Sequence, residues 1–218
     1  MLNPQLGQYF ESYNKSAVTV SANFDNTDDY YLPRSGWAIS QSFEKAGIGA
    51  DANYFKSRST LNKYIGLEPY LGVDAIFRWK NRYYAAAETG FLPQAEGFYM
   101  GGLGSVRGYE SYSLPYIMDK DGNAVRVSAT QTASSNIEMS FPLVPKAKMR
   151  FALFYDIGWI RTGRPELGDV DDMMRMGYGA SLEWFSPVGP LQLVFANPVN
   201  PETNDKVSHF EFTIGQRF

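Results

Sequence analysis

The chain has 218 residues, enough for one all-β domain, and a net charge of −3, which points to neither a nucleic-acid surface nor a strongly acidic tail. With no cysteine and a single histidine, His209, it can hold no disulfide framework, no thiolate metal site and no multi-histidine site. Aromatic residues reach 16%, yet mean hydropathy is below zero and no apolar run approaches the roughly 18 to 20 residues of a membrane-spanning helix. A transmembrane barrel passes unseen by that criterion, because only every second residue of a strand faces lipid.

Residues 1–15 read as a loop or partial strand. Met1-Leu2-Asn3-Pro4-Gln5 is no basic-then-apolar leader, so the expectation is a processed chain or one that begins inside a longer protein. From residue 16 onward a period of two dominates. Val18, Val20, Ala22 and Phe24 share one parity against Thr19, Ser21, Asn23 and Asp25. Trp37, Ile39 and Phe43 oppose Ser40, Ser42 and Glu44. Over 53–68, Phe55, Leu61, Ile65 and Leu67 oppose Lys56, Arg58, Thr60 and Asn62, with Lys63 out of step. Over 73–88, Val73, Ala75, Phe77, Trp79, Tyr83 and Ala85 oppose Arg78, Lys80, Arg82 and Glu88.

A long irregular segment, 91–125, follows. Then 126–141 alternates Ser128, Thr130, Thr132, Ser134, Asn136, Glu138 and Ser140 with Val127, Ala129, Ala133, Ile137, Met139 and Phe141. In 149–160 Met149, Phe151, Leu153, Tyr155, Ile157 and Trp159 face away from Arg150, Ala152, Phe154, Asp156, Gly158 and Ile160, a face mostly small or polar. In 174–186 Met174, Met176, Tyr178, Ala180, Leu182 and Trp184 oppose Arg175, Gly177, Gly179, Ser181 and Glu183. A shorter run, Leu191, Leu193 and Phe195, precedes the end, where Phe210, Phe212, Ile214 and Phe218 oppose His209, Glu211, Thr213, Gly215 and Arg217.

The pattern predicts about nine antiparallel strands with all four tryptophans on the apolar parity. A soluble sandwich also alternates. Two features favour lipid: strand lengths near the ~9 to 11 residues of a tilted spanning strand, and Trp and Tyr near strand ends, as in interfacial girdles. The connections sort by length as well. Those at 28–35, 66–72, 145–148 and 187–190 are compact and rich in Pro and Gly, whereas 91–125, 161–173 and 197–206 are longer and more polar. Short turns on one rim and long loops on the other suit an outer-membrane barrel, the link at 46–52 being a short exception.

The long segment carries Gly101-Gly102-Leu103-Gly104-Ser105-Val106-Arg107-Gly108-Tyr109. Centring the 145–149 turn near residue 147 sets Glu138 directly opposite Asp156, both on the lumen parity. Two carboxylates so opposed repel. Either one holds a proton or a cation sits between them. Arg107 is the candidate cation, since a guanidinium can fork across two acids and its glycine neighbours permit close approach to a wall. The segment is therefore predicted to fold inward with Arg107 as its anchor.

That motif is similar to the sixth-loop signature of the outer-membrane assembly and two-partner secretion superfamily. Tyr31-Leu32-Pro33-Arg34-Ser35-Gly36, Ser135-Asn136-Ile137-Glu138, Phe154-Tyr155-Asp156-Ile157-Gly158, Ser186-Pro187-Val188-Gly189-Pro190-Leu191 and the terminal Phe210 to Phe218 resemble further segments of the same family, over about residues 16–218. The resemblance implies a sixteen-stranded barrel of which this chain would supply the C-terminal part, with 91–125 as its sixth extracellular loop. It implies contact of Arg107 with Glu138 and Asp156. It also implies a weakly paired seam at the last strand, through Phe210, Phe212, Ile214, Gly215 and Phe218, that can template incoming strands.

The function expected from this is assembly of β-barrel proteins in the outer membrane of a Gram-negative bacterium. The alternatives are a two-partner secretion-type translocator and a passive structural barrel. The partners implied are outer-membrane lipid, nascent barrel proteins and, through periplasmic domains, accessory lipoproteins; no nucleic acid and no cofactor is expected. Enzymatic chemistry is not expected either. Gly102, Gly104 and Gly108 miss the dinucleotide spacing, no phosphate loop or Gly-x-Ser-x-Gly elbow occurs, and Asp169, Asp171 and Asp172 lack an EF-hand spacing.

Overall fold

The structure is a computed structural model that describes residues 12–118, 122–164, 172–187 and 189–215. Asp169, Asp171, Arg217 and Phe218 lie outside the described residues. Nine strands form one antiparallel sheet: β1 (Ala17–Asp25), β2 (Ser35–Ala46), β3 (Tyr54–Gly66), β4 (Ile76–Glu88), β7 (Gln131–Val144), β8 (Met149–Arg161), β9 (Met173–Ser186), β10 (Gly189–Val199) and β11 (Phe210–Ile214). Among the described residues they follow one another in chain order across the sheet, with β1 and β11 at its two edges. A two-stranded ribbon, β5 (Tyr116–Met118) with β6 (Ala124–Arg126), belongs to the long loop, and a short helix, α1 (Glu68–Leu71), fills the β3–β4 turn.

Alternation decides the two faces. The apolar parity points outward: Leu153 is 49% exposed, Tyr178 50% and Phe210 53%, and Trp79 and Trp184 are exposed as well. The other parity turns into the concave side and from β2 onward is largely covered there, with Arg78, Asp156 and Glu183 at 0% exposure, while β1 is exposed on both faces. A polar interior under an apolar exterior is the reverse of a soluble sandwich. Lys63, the outward exception, pairs across strands with Trp37 and holds its ammonium 4.4 Å from that ring, near the turn-bearing rim.

The hydrophobic core lies inside the sheet's curve. It forms where the loop packs on the wall: Leu92, Phe98, Met100, Val106, Tyr109 and Leu114 join Ala46, Tyr54 and Ile160 in one cluster. The loop is longer than the sequence indicates. Residues 127–130 belong to it rather than to a strand, and β7 begins at Gln131. Val127, Ser128 and Ala129 are fully buried against the loop's own start, where Ala129 and Phe98 exchange backbone hydrogen bonds of 2.8 and 2.9 Å.

The β7–β8 register also corrects the expectation. Asp156 sits opposite Asn136, and Glu138 opposite Phe154. The turn is a single 3-10 turn, Pro145–Ala147, closed by Lys148 in a left-handed conformation, and the register shifts between Pro142 and Val144. The bulge consumes one residue of β7 and the tight turn removes the rest of the assumed offset. Parity survives, so both acids still face the lumen, but they are diagonal neighbours.

Candidate functional site: the pinned loop

Arg107 reaches both acids. Its Nε and Nη2 donate to the two oxygens of Asp156 at 2.7 and 2.6 Å, and Nη1 donates to Glu138 Oε1 at 2.6 Å. Its backbone N–H adds a bond of 3.0 Å to Asp156 Oδ2. The diagonal offset of the acids suits this fork: one carboxylate takes the bidentate edge and the other takes the remaining nitrogen. The guanidinium carbon also sits over the Phe154 ring, 3.5 Å from its centroid. Phe154 is the register partner of Glu138, so one cross-strand pair supplies both a carboxylate and an aromatic ring.

The rest of the motif shapes the approach. Gly101, Gly102 and Gly108 adopt positive φ. At Gly108 a side chain would also strike Pro198 N at 2.9 Å. Gly104 is in neither situation and borders open space. Val106 and Tyr109 are fully buried. Asn136 donates to the Ser105 carbonyl at 2.6 Å, fixing the turn just before Arg107.

Residues that sequence reasoning left without a role complete the seat. Three lumen-facing glycines hollow the wall. A side chain at Gly158 would collide with Met100 and Val106, one at Gly177 with the carbonyl of Arg107, and one at Gly179 with the ring of Phe154 at 2.7 Å. Their shared parity with Arg150, Asp156 and Arg175 is the signal that could have found them. Behind the acids runs a chain of charge. Arg78 pairs with Glu183 and lies 3.4 Å from Glu138, as does Lys80. Ser140 donates to Glu183 at 3.2 Å, and Arg150 joins Ser140 to Asp74 at 2.9 and 2.8 Å. Asp74, in the β3–β4 turn, also takes a two-pronged contact of 2.8 Å from Arg34, whose hydrogen bonds hold its carboxyl below the usual range.

The loop has further pins. Glu96, at its start, accepts from Lys56 at 2.6 Å, Tyr54 at 2.8 Å and Lys15 at 3.1 Å. Burial alone would raise the pKa of Glu96, but these donors outweigh it and pull it down to about 2. Arg164 donates to the Leu92 carbonyl at 2.9 Å and to Ser128 at 2.7 Å. His209 is exposed before β11, with Nδ1 3.1 Å from the Ala196 carbonyl oxygen. Phe210, Phe212 and Ile214 face outward on β11, and Gly215 follows with φ of +79°. No group of three or more His, Cys, Asp or Glu side chains able to hold a metal occurs among the described residues. The arrangement is electrostatic and mechanical: it fixes a loop inside a polar-lined half-barrel.

Comparison with known proteins bears on the fold and the family. The solved structure of BamA from Haemophilus ducreyi lacking POTRA domains 1–3 superposes with a TM-score of 0.75 at 21% identity, covering 90% of this chain and 41% of that one, which speaks to the fold. The outer membrane protein assembly factor BamA of Neisseria meningitidis serogroup B is 31% identical over 92% of this chain and 28% of its own length. That of Nitratidesulfovibrio vulgaris is 29% identical over 95% of this chain and 26% of its own. The chain thus spans little more than a quarter of these relatives. The model of the Omp85 superfamily domain matches residues 6–218, and the chain belongs to the Omp85 superfamily.

Proposed function

We propose that the chain is the membrane-embedded C-terminal part of an outer-membrane protein assembly factor, which helps β-barrel proteins fold into the outer membrane of a Gram-negative bacterium. Family membership and relatives that bear that name support the reading. The observation that carries it is the sidedness of the sheet, apolar outward and polar inward, with the 91–125 loop pinned to its inner wall by Arg107. In this reading the last strand, β11, which pairs with β10 over five residues, Phe210–Ile214, is the seam strand. An unpaired edge in a membrane offers backbone donors and acceptors that lipid cannot satisfy, so an incoming strand gains by adding there.

In this reading no bond is made or broken in the client. The protein lowers an insertion barrier by templating strands and disturbing the surrounding lipid, and accessory lipoproteins would engage it through periplasmic domains. The pinned loop fills the lumen and opposes a wide passive pore. The test is reconstitution of the full-length protein in lipid vesicles and addition of a urea-unfolded outer-membrane barrel protein, with the client's heat-modifiable gel shift followed in time. Faster conversion than in protein-free vesicles is expected; equal rates would overturn the reading.

A further inference from the structure

The loop meets the terminal hairpin at two depths. Toward the loop-bearing rim, Tyr109 forms an antiparallel bridge with Val207, Glu110 donates its N–H to the Lys206 carbonyl at 2.8 Å, and Ser208 donates to the Gly108 carbonyl at 3.1 Å. Deeper in the lumen, Glu211 of β11 extends inward and its Oε2 accepts the N–H of Leu103 at 3.1 Å. The Leu103 side chain lies against Phe154, Val194 and Ala196, so the tip of the loop is wedged between β8 and the last hairpin.

Strand pairing does not account for Glu211. Its cross-strand neighbour is Val194, fully buried and apolar. Its hydrogen bond leaves the sheet for the loop, and its second oxygen, Oε1, is buried with no partner among the described residues. A carboxylate placed against an apolar neighbour and half satisfied is costly, which makes the bond it does form the reason for its position. A carboxylate accepting a backbone N–H is also one of the stronger hydrogen bonds available. Among the described residues β11 pairs with β10 over five residues, and the loop adds the Leu103 hydrogen bond to it.

We propose that Glu211 is a positioning residue that ties the loop's glycine tip to the terminal strand, so that drawing β11 outward frees Leu103 and freeing the tip loosens β11. The proposal rests on the reading of β11 as the seam strand. The coupling is reciprocal by thermodynamic necessity: whatever favours the displaced strand favours the released loop to the same degree. A client strand adding at the β11 edge would thereby unlatch the loop from one end while Arg107 still holds it at the other.

The experiment uses the full-length protein in vesicles with Gly104→Cys as a reporter. Gly104 has open space around it and no left-handed backbone, these 218 residues hold no cysteine, and any cysteine elsewhere in the full-length protein is replaced by serine first. Labelling by a water-soluble maleimide should quicken about tenfold in Glu211→Ala, the scale set by losing a hydrogen bond to a charged acceptor. Glu211→Gln keeps a side-chain carbonyl for Leu103 and should stay within about twofold of the parent, since much of the bond remains. Ile48→Cys, 58% exposed on the β2–β3 link, controls for general loosening and should label alike in every background.

Equal labelling of the loop-tip reporter in parent and Glu211→Ala overturns the tie, as does a Gln variant that behaves like Ala. Adding a peptide with the terminal strand of a client barrel tests the coupling. If it cross-links to β11, labelling of the loop tip should rise in the parent and rise no further in Glu211→Ala; binding without that rise overturns the coupling. A peptide that fails to bind β11 instead counts against the seam reading, and the maleimide comparison then decides the tie alone.

Discussion

Replacing Arg107 with alanine is the sharpest perturbation of the loop. It removes the three side-chain bonds to Asp156 and Glu138, at 2.6 to 2.7 Å, and the contact with the Phe154 ring. The local cluster holds Arg78, Lys80 and Arg107 against Glu138, Asp156 and Glu183, so the variant leaves one carboxylate uncompensated. Breaking a buried pair by removing one partner costs about 3 to 5 kcal/mol. Glu138 keeps Arg78 and Lys80 at 3.4 Å, while Asp156, at 0% exposure, keeps only the backbone N–H of residue 107, which places the expected cost near the lower bound, about 3 kcal/mol. That is on the order of 100-fold in the docking equilibrium of the loop. Limited proteolysis of the loop and the midpoint of heat-modifiable gel mobility read it out. Asp156→Asn should cost less, because one side-chain oxygen remains to accept from Arg107. In Arg107→Ala/Asp156→Asn the stranded charge is gone, so the double variant should be milder than the sum of the singles by at least about 1 kcal/mol. Parent-like proteolysis in Arg107→Ala, or strict additivity in the cycle, would refute the anchor.

Other expectations follow from the same contacts. Gly177→Val should expel the loop, because its side chain would occupy the place of the Arg107 carbonyl; a cost of about 1 to 3 kcal/mol is expected, with faster nicking of the loop as the readout. Leu153→Arg, on the outward face, should destabilise the barrel by roughly 2 to 4 kcal/mol in vesicles, whereas Ser40→Arg, half-buried on the lumen parity between Asn23 and Thr60, should cost much less; equal effects would argue against a lipid-facing exterior. The Glu96 pin should be acid-sensitive. Its folded pKa of about 2 lies below the ordinary 4.5, so its contribution is complete above pH 4.5 and is lost as pH falls toward 2. Hydrogen exchange at 91–98 should rise over that window and change far less with pH in Glu96→Gln; the same pH response in both would remove Glu96 as the cause.

What the sequence determined by itself is sidedness. Successive side chains of a strand point to opposite faces, so a list of alternating residues decides which of them meet lipid and which meet the lumen before any pairing is known. Trp79, Leu153, Trp184, Asp156 and Glu183 all lie where that rule puts them. The motif Gly101 to Tyr109 announced a loop able to approach a wall for a similarly local reason: glycine permits backbone conformations and distances that other residues do not. Register is not local. One bulge between Pro142 and Val144 and one tight turn moved Asp156 from Glu138 to Asn136, and no alternation pattern reports either. Nor does alternation say that Gly158, Gly177 and Gly179 stand under the loop, that Glu96 begins a second anchor among Lys15, Tyr54 and Lys56, or that Glu211 reaches Leu103 across 108 residues of chain. Those contacts exist only because the sheet curves and the loop returns into it, bringing together groups whose separation along the chain carries no trace of their distance in space.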